Sequence, residues 1–156
     1  MFEGRSYEDY TRAAPTLFKQ LVESDLRPFK ISTYDRKIPG IYILYENGSP
    51  VYVGRTRNLQ GRLRAHVTKS HNSASFALKR TRSLHPEIRN ASYSGTNSRK
   101  EIVKHPVYGR TFELQIAAIK AMQFRFIEVA DPIEQYFLEL FATMELRLDI
   151  SGFDTH

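Results

Sequence analysis

The segment from Pro39 to His66, PGIYILYENGSPVYVGRTRNLQGRLRAH, constrains the fold of this chain more than any other. It contains two runs rich in β-branched and aromatic residues, GIYILYE and VYVG, which favour β-strands. Between them lies an Asn-Gly pair, which adopts positive φ at low cost and closes tight hairpins. The segment therefore predicts a hairpin over residues 40–54. Asn58 can then cap a helix that continues to about Val67.

The chain on either side predicts further regular elements. Apolar spacing predicts a helix over residues 6–24, followed by a linker. Residues 123–130 alternate in polarity and predict another strand. Asp131 and Pro132 then begin a helix that runs to about Arg147. We expect its inner face to carry Ile133, Phe137, Leu140, Phe141 and Met144.

The region between the hairpin and the last strand is polar and basic. It predicts a short basic helix with the sequence FALKRTR and a longer helix over residues 110–122. Residues 83–109 contain turn signals and predict a long functional or partly disordered loop. Residues 1–156 together have the size of one domain. We expect a single domain in which residues 68–110 form a basic insertion.

The net charge of +6 is concentrated in the middle of the sequence. Residues 1–53 are neutral overall, and residues 111–156 carry a net charge of −5. Residues 54–110 contain 13 basic and 2 acidic side chains, a net charge of +11. A block of one sign repels itself and is stabilised by a polyanion. Nucleic acid is therefore the expected partner, and a solvated basic surface without a partner is the alternative.

Composition argues against several other classes of protein. The chain has no cysteine, which excludes disulfides and thiolate metal sites. It has no apolar run long enough to span a bilayer, and its N-terminal residues lack the apolar core of a signal peptide. We expect a cytoplasmic protein with no membrane partner.

The tripeptides GIY at residues 40–42 and YVG at residues 52–54, followed by Arg62 in a helix, resemble the signature of the GIY-YIG nuclease family. The spacing is matched, and the only departure is a valine in place of an isoleucine. The resemblance is close over residues 40–66 and looser over residues 123–146. It implies an α/β fold with a small three-stranded antiparallel sheet flanked by helices. It also implies Mg²⁺-dependent hydrolysis of a DNA phosphodiester, with Mn²⁺ as a substitute ion.

The resemblance assigns roles to four side chains of this segment. Tyr42 becomes the general base or water-positioning group, and Tyr52 orients the water or the phosphate. A phenol has a pKa near ~10, so it needs a metal or a neighbouring base to act at neutral pH. Arg62 would bind a phosphate oxygen, and His66, one helical turn later, would accept a proton from a tyrosine or hold it in place. The alternatives are core tyrosines and a solvated helix face.

The family also uses one glutamate on a later helix to bind the metal. Glu134 and Glu139 are the candidates, and we expect Glu134, because apolar residues follow it at the third and fourth positions. A single carboxylate leaves water sites on the metal, which suits Mg²⁺. With Asp131 as the N-cap, Glu134 could instead belong to a capping box. The asparagine that many members have after this helix has no counterpart here.

Double-stranded DNA is the expected partner of the basic residues. Arg55 and Arg57 follow the YVG tripeptide and are expected to contact phosphate. Changes at Asn97, Arg99 or Lys100 are expected to relax sequence preference, since Asn and Arg suit adenine and guanine edges. A short nuclease with a basic insertion resembles the restriction-enzyme branch of the family, and a double-strand cut would favour a homodimer on DNA. The alternatives are a repair or structure-selective nuclease and a non-catalytic DNA-binding module. The expected contacts within the insertion are Lys79, Arg80, Arg82, Arg99 and Lys100.

Overall fold

The computed structural model describes residues 4–30, 33–88 and 98–150. The described chain divides into two compact units. One contains the residues up to Gln60 together with those from Met122 onward, and the other is Gly61–Ala121. The predicted insertion lies within the second unit. No helix of the described residues is long and apolar enough to cross a bilayer.

The described chain contains both helices and strands, as the sequence predicts for a mixed α/β protein. A 3₁₀ turn covers Pro86–Ile88. The strands are β1 Arg27–Pro28, β2 Gly40–Glu46, β3 Ser49–Thr56 and β4 Gln123–Glu128. The helices are α1 Tyr7–Glu23, α2 Leu59–His66, α3 Ser75–Leu84, α4 Arg99–Lys104, α5 Pro106–Lys120 and α6 Pro132–Glu145.

The first unit is built on an antiparallel sheet with the strand order β1-β4-β2-β3. β2 is central and pairs with both β3 and β4. The β2–β3 hairpin turns at Asn47 and Gly48, which both have positive φ. The predicted hairpin is therefore confirmed, and its second strand continues to Thr56.

The sheet has four strands, whereas the resemblance implied three. The additional strand, β1, is only two residues long and lies at the edge of the sheet, where Arg27 pairs with Phe124. The amide of Phe29 donates to the carbonyl of Met122 at 3.0 Å and extends this pairing. A two-residue edge strand that contains Pro28 has no alternating pattern, so the sequence could not reveal it.

α1 and α6 pack against one face of this sheet. Ile41 and Ile43 point to this face, because alternate residues of a strand share a face. Each fully buried side chain of this size stabilises the fold by about 1.5–3 kcal/mol. The buried residues of this core are Leu21, Ile41, Ile43, Val129 and Leu138.

The buried face of α6 differs in part from the one predicted, because Phe137 and Phe141 contact aromatic rings of α1 as expected but two other residues do not point inward. The prediction placed Leu140 and Met144 inward, but they are 45% and 62% exposed. Leu138 and Ala142 are buried instead, together with Gln135, whose amide donates to the carbonyl of Val129 at 2.7 Å. Apolar residues surround most of α6, so contact with the sheet selects the buried face and spacing alone does not.

The second unit, Gly61–Ala121, is helical in the part that the structure describes. α5 packs against both α3 and α4. A Cβ on Gly109 of α5 would lie 2.5 Å from the carbonyl oxygen of Val103 in α4, so this position requires glycine. Ser98 caps α4, and the His105 imidazole caps α5. His105 thereby joins the short helix α4 to the longer helix α5 at a close turn.

The prediction of a long loop over residues 83–109 is wrong for the part of this segment that the structure describes. α3 continues to Leu84, the 3₁₀ turn follows, and α4 and the start of α5 occupy residues 99–109. A helix as short as α4 contains too few apolar residues to show a period, although its Ser98 cap is a readable signal. Asn97 lies outside the described residues.

Gly54 generates a stability prediction. Tyr42 pairs with Gly54 across the hairpin, and a Cβ on Gly54 would clash with the Tyr42 ring and hydroxyl. We expect Gly54→Ala to lower the free energy of unfolding by about 1–3 kcal/mol, as overpacked cores do. Urea denaturation measures this. Tyr42→Ala should remove most of the penalty in the double variant, and an undiminished penalty there would contradict the proposed clash.

Candidate active site

Two tyrosines of the hairpin share one face of the sheet. Tyr42 pairs with Gly54, and Tyr52 pairs with Leu44, so both side chains lie on the face opposite the α1–α6 core. Their ring centroids are 6.0 Å apart, with 33° between the ring planes. Tyr42 is fully buried and Tyr52 is half-buried. The predicted juxtaposition of these two phenols follows from the strand register.

Arg55 follows Gly54 and therefore points to the other face of β3. Its Nε lies 3.3 Å from the Glu139 carboxylate, and its guanidinium carbon lies 3.9 Å from the centre of the Tyr136 ring. The backbone N–H of Arg55 also donates to Glu139. Burial raises the pKa of Glu139, while Arg55 acts in the opposite direction. A mostly buried carboxylate from α6 therefore lies beside the end of β3.

Glu134 belongs to a different cluster, at the start of α6. Arg5 Nη1 lies 2.6 Å from Glu134 and 3.5 Å from Asp131. The Arg5 guanidinium stacks on the Tyr10 ring, whose hydroxyl donates to Asp131 at 2.7 Å. Asp131 also caps α6 by accepting from the Ile133 amide at 2.9 Å. These contacts join the start of α6 to the start of α1.

Arg62 and His66 lie one turn apart on α2. His66 is fully buried, and its ring meets that of Phe76 edge-on at 6.2 Å between centroids. Burial lowers the pKa of His66 to about 3, and the charge of Arg62 adds to this effect. The imidazole is therefore neutral at neutral pH and a weak base, which favours a hydrogen-bonding role over proton uptake.

The basic residues expected to contact DNA differ in how firmly they are packed. Arg80 is half-buried and donates from Nε to Gln115 of α5 at 2.7 Å, so it stabilises the helical unit. Arg82 is also half-buried, and its pKa is lowered by burial and by the charge of Arg99. The exposed basic side chains among those predicted are Arg55, Arg57, Lys79, Arg99 and Lys100.

The donor groups limit what kind of metal site this chain can form. Among the described residues, there is no group of three or more histidine and carboxylate side chains that could hold a metal ion. A single glutamate fits Mg²⁺, which keeps several waters and takes oxygen ligands from substrate phosphates. Glu139 and Glu134 are therefore both chemically suitable as the one protein ligand.

A comparison with protein families matches residues 38–143 to the GIY-YIG catalytic domain. The match includes the hairpin with both tyrosines, Arg62, and the two candidate glutamates of α6, Glu134 and Glu139. This chain belongs to the GIY-YIG family. Comparisons with curated proteins and with solved structures find no match. A GIY-YIG domain is a nuclease, a hydrolase of phosphodiester bonds, and GIY-YIG nucleases generally depend on a divalent metal.

The sequence analysis did not identify two residues that lie near the candidate glutamates. Arg5 lies almost 130 positions before Glu134, and Tyr136 lies on a helix face that the pattern did not single out. Neither has a sequence signal, because each is recognised only through a contact between distant segments. The structure brings Arg55 to Glu139 and separately brings Arg5 to Glu134.

The buried His66 generates a prediction of pH dependence. Its pKa is about 3 in the folded protein against 6.5 for a free imidazole, so the unfolded state binds a proton that the folded state excludes. This contribution to stability is complete above pH 6.5 and is lost as the pH falls towards 3. Between pH 7 and pH 5 we expect the wild type to lose about 2 kcal/mol more unfolding free energy than His66→Gln. Urea denaturation at both pH values measures the difference, and equal losses would contradict the assignment.

Proposed function

We propose that this protein is a Mg²⁺-dependent endonuclease that cleaves double-stranded DNA in a restriction-like role. One observation carries the proposal. Tyr42 and Tyr52 face each other across one side of the hairpin, inside the residues that match a nuclease domain. The excess of basic charge in residues 54–110 supports DNA as the substrate.

The chemistry divides among few side chains. Tyr42 positions or deprotonates the attacking water, and Tyr52 orients the water or the phosphate. Arg62 stabilises the charge that develops on the phosphate oxygens, since its guanidinium matches their geometry. His66 acts as a neutral hydrogen-bonding group. When bound, Mg²⁺ polarises the phosphodiester and offsets part of its charge.

The contacts of the two glutamates support Glu139 as the metal ligand over Glu134, the residue favoured by sequence alone. Glu139 reaches Arg55, the residue directly after the YVG tripeptide. Glu134 is engaged by Arg5 within the cluster that joins α1 to α6. A carboxylate that already supports the structure at a distance from the signature strand is the weaker candidate.

Digestion of a mixed-sequence plasmid tests the proposed function. Discrete fragments with Mg²⁺ would support a sequence-specific, restriction-like enzyme. A smear would support a nuclease without sequence preference and would refute the restriction-like role. Binding without cleavage, under any divalent metal, would show a non-catalytic DNA-binding module.

Substitutions at the signature should separate catalysis from binding. We expect Tyr42→Phe and Arg62→Ala to abolish cleavage with little change in DNA affinity, because these groups act mainly on the transition state. In the same assay Glu139→Gln should also abolish cleavage, and Glu134→Gln should be mild. Wild-type turnover in Tyr42→Phe would refute the water-positioning role. The reverse result for the glutamates would assign the metal to Glu134.

DNA affinity tests the role of the helical unit. Lys79 and Lys100 are exposed, so replacing both with alanine removes positive charge from the surface of the helical unit. We expect the double variant to bind all sequences more weakly and to reduce the slope of log K against log salt by about 1.8, or about 0.9 for each phosphate contact.

Lys19 and Lys30 provide a matched control for this pair, because they are exposed and lie outside the basic block. Their double alanine variant should bind DNA with the wild-type salt slope. An unchanged slope for the Lys79 and Lys100 variant would mean that DNA is held elsewhere on the protein. Arg80 is unsuitable for this test, because its loss would also break the contact with Gln115.

A further inference from the structure

Glu139 is held by two different groups of the same residue. The backbone N–H and the side chain of Arg55 both lie beside it and lower its pKa. The backbone N–H keeps this position when the guanidinium leaves. The Arg55 side chain is 38% exposed, and its Nε lies 3.3 Å from the Glu139 carboxylate. The arginine side of this ion pair is open to solvent, so the guanidinium can exchange for another cation.

Tyr136 gives the same guanidinium a second place of attachment. The Arg55 guanidinium carbon lies 3.9 Å from the centre of the Tyr136 ring, within the range of a cation–π contact. Tyr136 is 51% exposed, so the ring face is accessible from solvent. Loss of the contact with Glu139 would therefore leave Arg55 at the edge of β3 rather than free to extend into solvent.

Glu134 lies on the same helix as Glu139 and pairs with Arg5. This second ion pair differs from the one between Arg55 and Glu139. Arg5 contacts two carboxylates, those of Glu134 and Asp131, and its stacking partner Tyr10 is buried and bonded to Asp131. Arg5 and Asp131 each have several partners in that cluster. Displacing Arg5 would leave two carboxylates without their cation, which makes this pair structural.

We propose that Arg55 is a displaceable counter-ion that occupies Glu139 in the metal-free protein and yields it to Mg²⁺, while Tyr136 keeps the guanidinium beside the site. The inference rests on the proposed function, specifically on Glu139 as the metal ligand. Mg²⁺ and the guanidinium compete for one carboxylate, so binding of the metal leaves a net positive charge beside Glu139. The released guanidinium is then available to a phosphate oxygen of DNA.

Metal affinity without DNA tests the competition, with Mn²⁺ as the probe and electron paramagnetic resonance of free Mn²⁺ as the readout at pH 8. We expect Arg55→Ala to bind Mn²⁺ about fivefold more tightly than the wild type, equivalent to about 1 kcal/mol. Arg5→Ala is the matched control and should leave the affinity unchanged. Glu139→Gln should lose binding.

The outcomes separate this inference from the proposed function. Wild-type Mn²⁺ binding that is unchanged in Arg55→Ala overturns the inference alone. If Arg5→Ala binds Mn²⁺ more tightly and Arg55→Ala does not, the metal belongs to Glu134 and the inference is overturned. No Mn²⁺ binding and no cleavage by the wild type refute the proposed function and the inference together.

DNA binding tests whether Tyr136 retains the released guanidinium, in a Tyr42→Phe background that prevents cleavage. With Mn²⁺ present, Arg55→Ala should reduce the salt slope by about 0.9, and without metal it should not change it. Tyr136→Leu should behave like Arg55→Ala, whereas Tyr136→Phe, which keeps the ring, should behave like the wild type. The same slope loss with and without metal would overturn the metal-coupled release.

Discussion

The antiparallel pairing of β2 with β3 is the interaction on which the rest of the site depends. The register opposes Tyr42 to Gly54, and the absence of a side chain at Gly54 gives the Tyr42 ring its place. The same register brings Tyr52 to the same face and turns Arg55 to the other face. A shift of one residue would exchange all of these positions between the two faces.

α6 shows how one helix gives two carboxylates different surroundings. Gln135, Leu138 and Ala142 set its orientation on the sheet. This orientation places Glu134 at the cluster formed by Arg5 and Tyr10, and Glu139 at the end of β3. Glutamates five positions apart therefore receive different surroundings, and the difference follows from the buried face of the helix rather than from their neighbours in sequence.

Packing also divides the basic residues that composition groups together. Arg80 is joined to Gln115 and Arg82 is half-buried, whereas Lys79 and Lys100 are exposed. Charge counting gives these side chains equal weight. Burial separates those that hold helices together from those that are available to a polyanion.

Much of this protein could be predicted from short-range patterns. The hairpin, the paired tyrosines, the helix that carries Arg62 and His66, and the family itself follow from the residues between Gly40 and His66, because strand alternation, turn chemistry and helical spacing are local. Tertiary structure alone decided the two-residue strand β1, the buried face of α6, the burial that lowers the pKa of His66, and the arginine that each glutamate meets. These features depend on contacts between segments far apart in the chain, and no local pattern of side chains encodes such a contact.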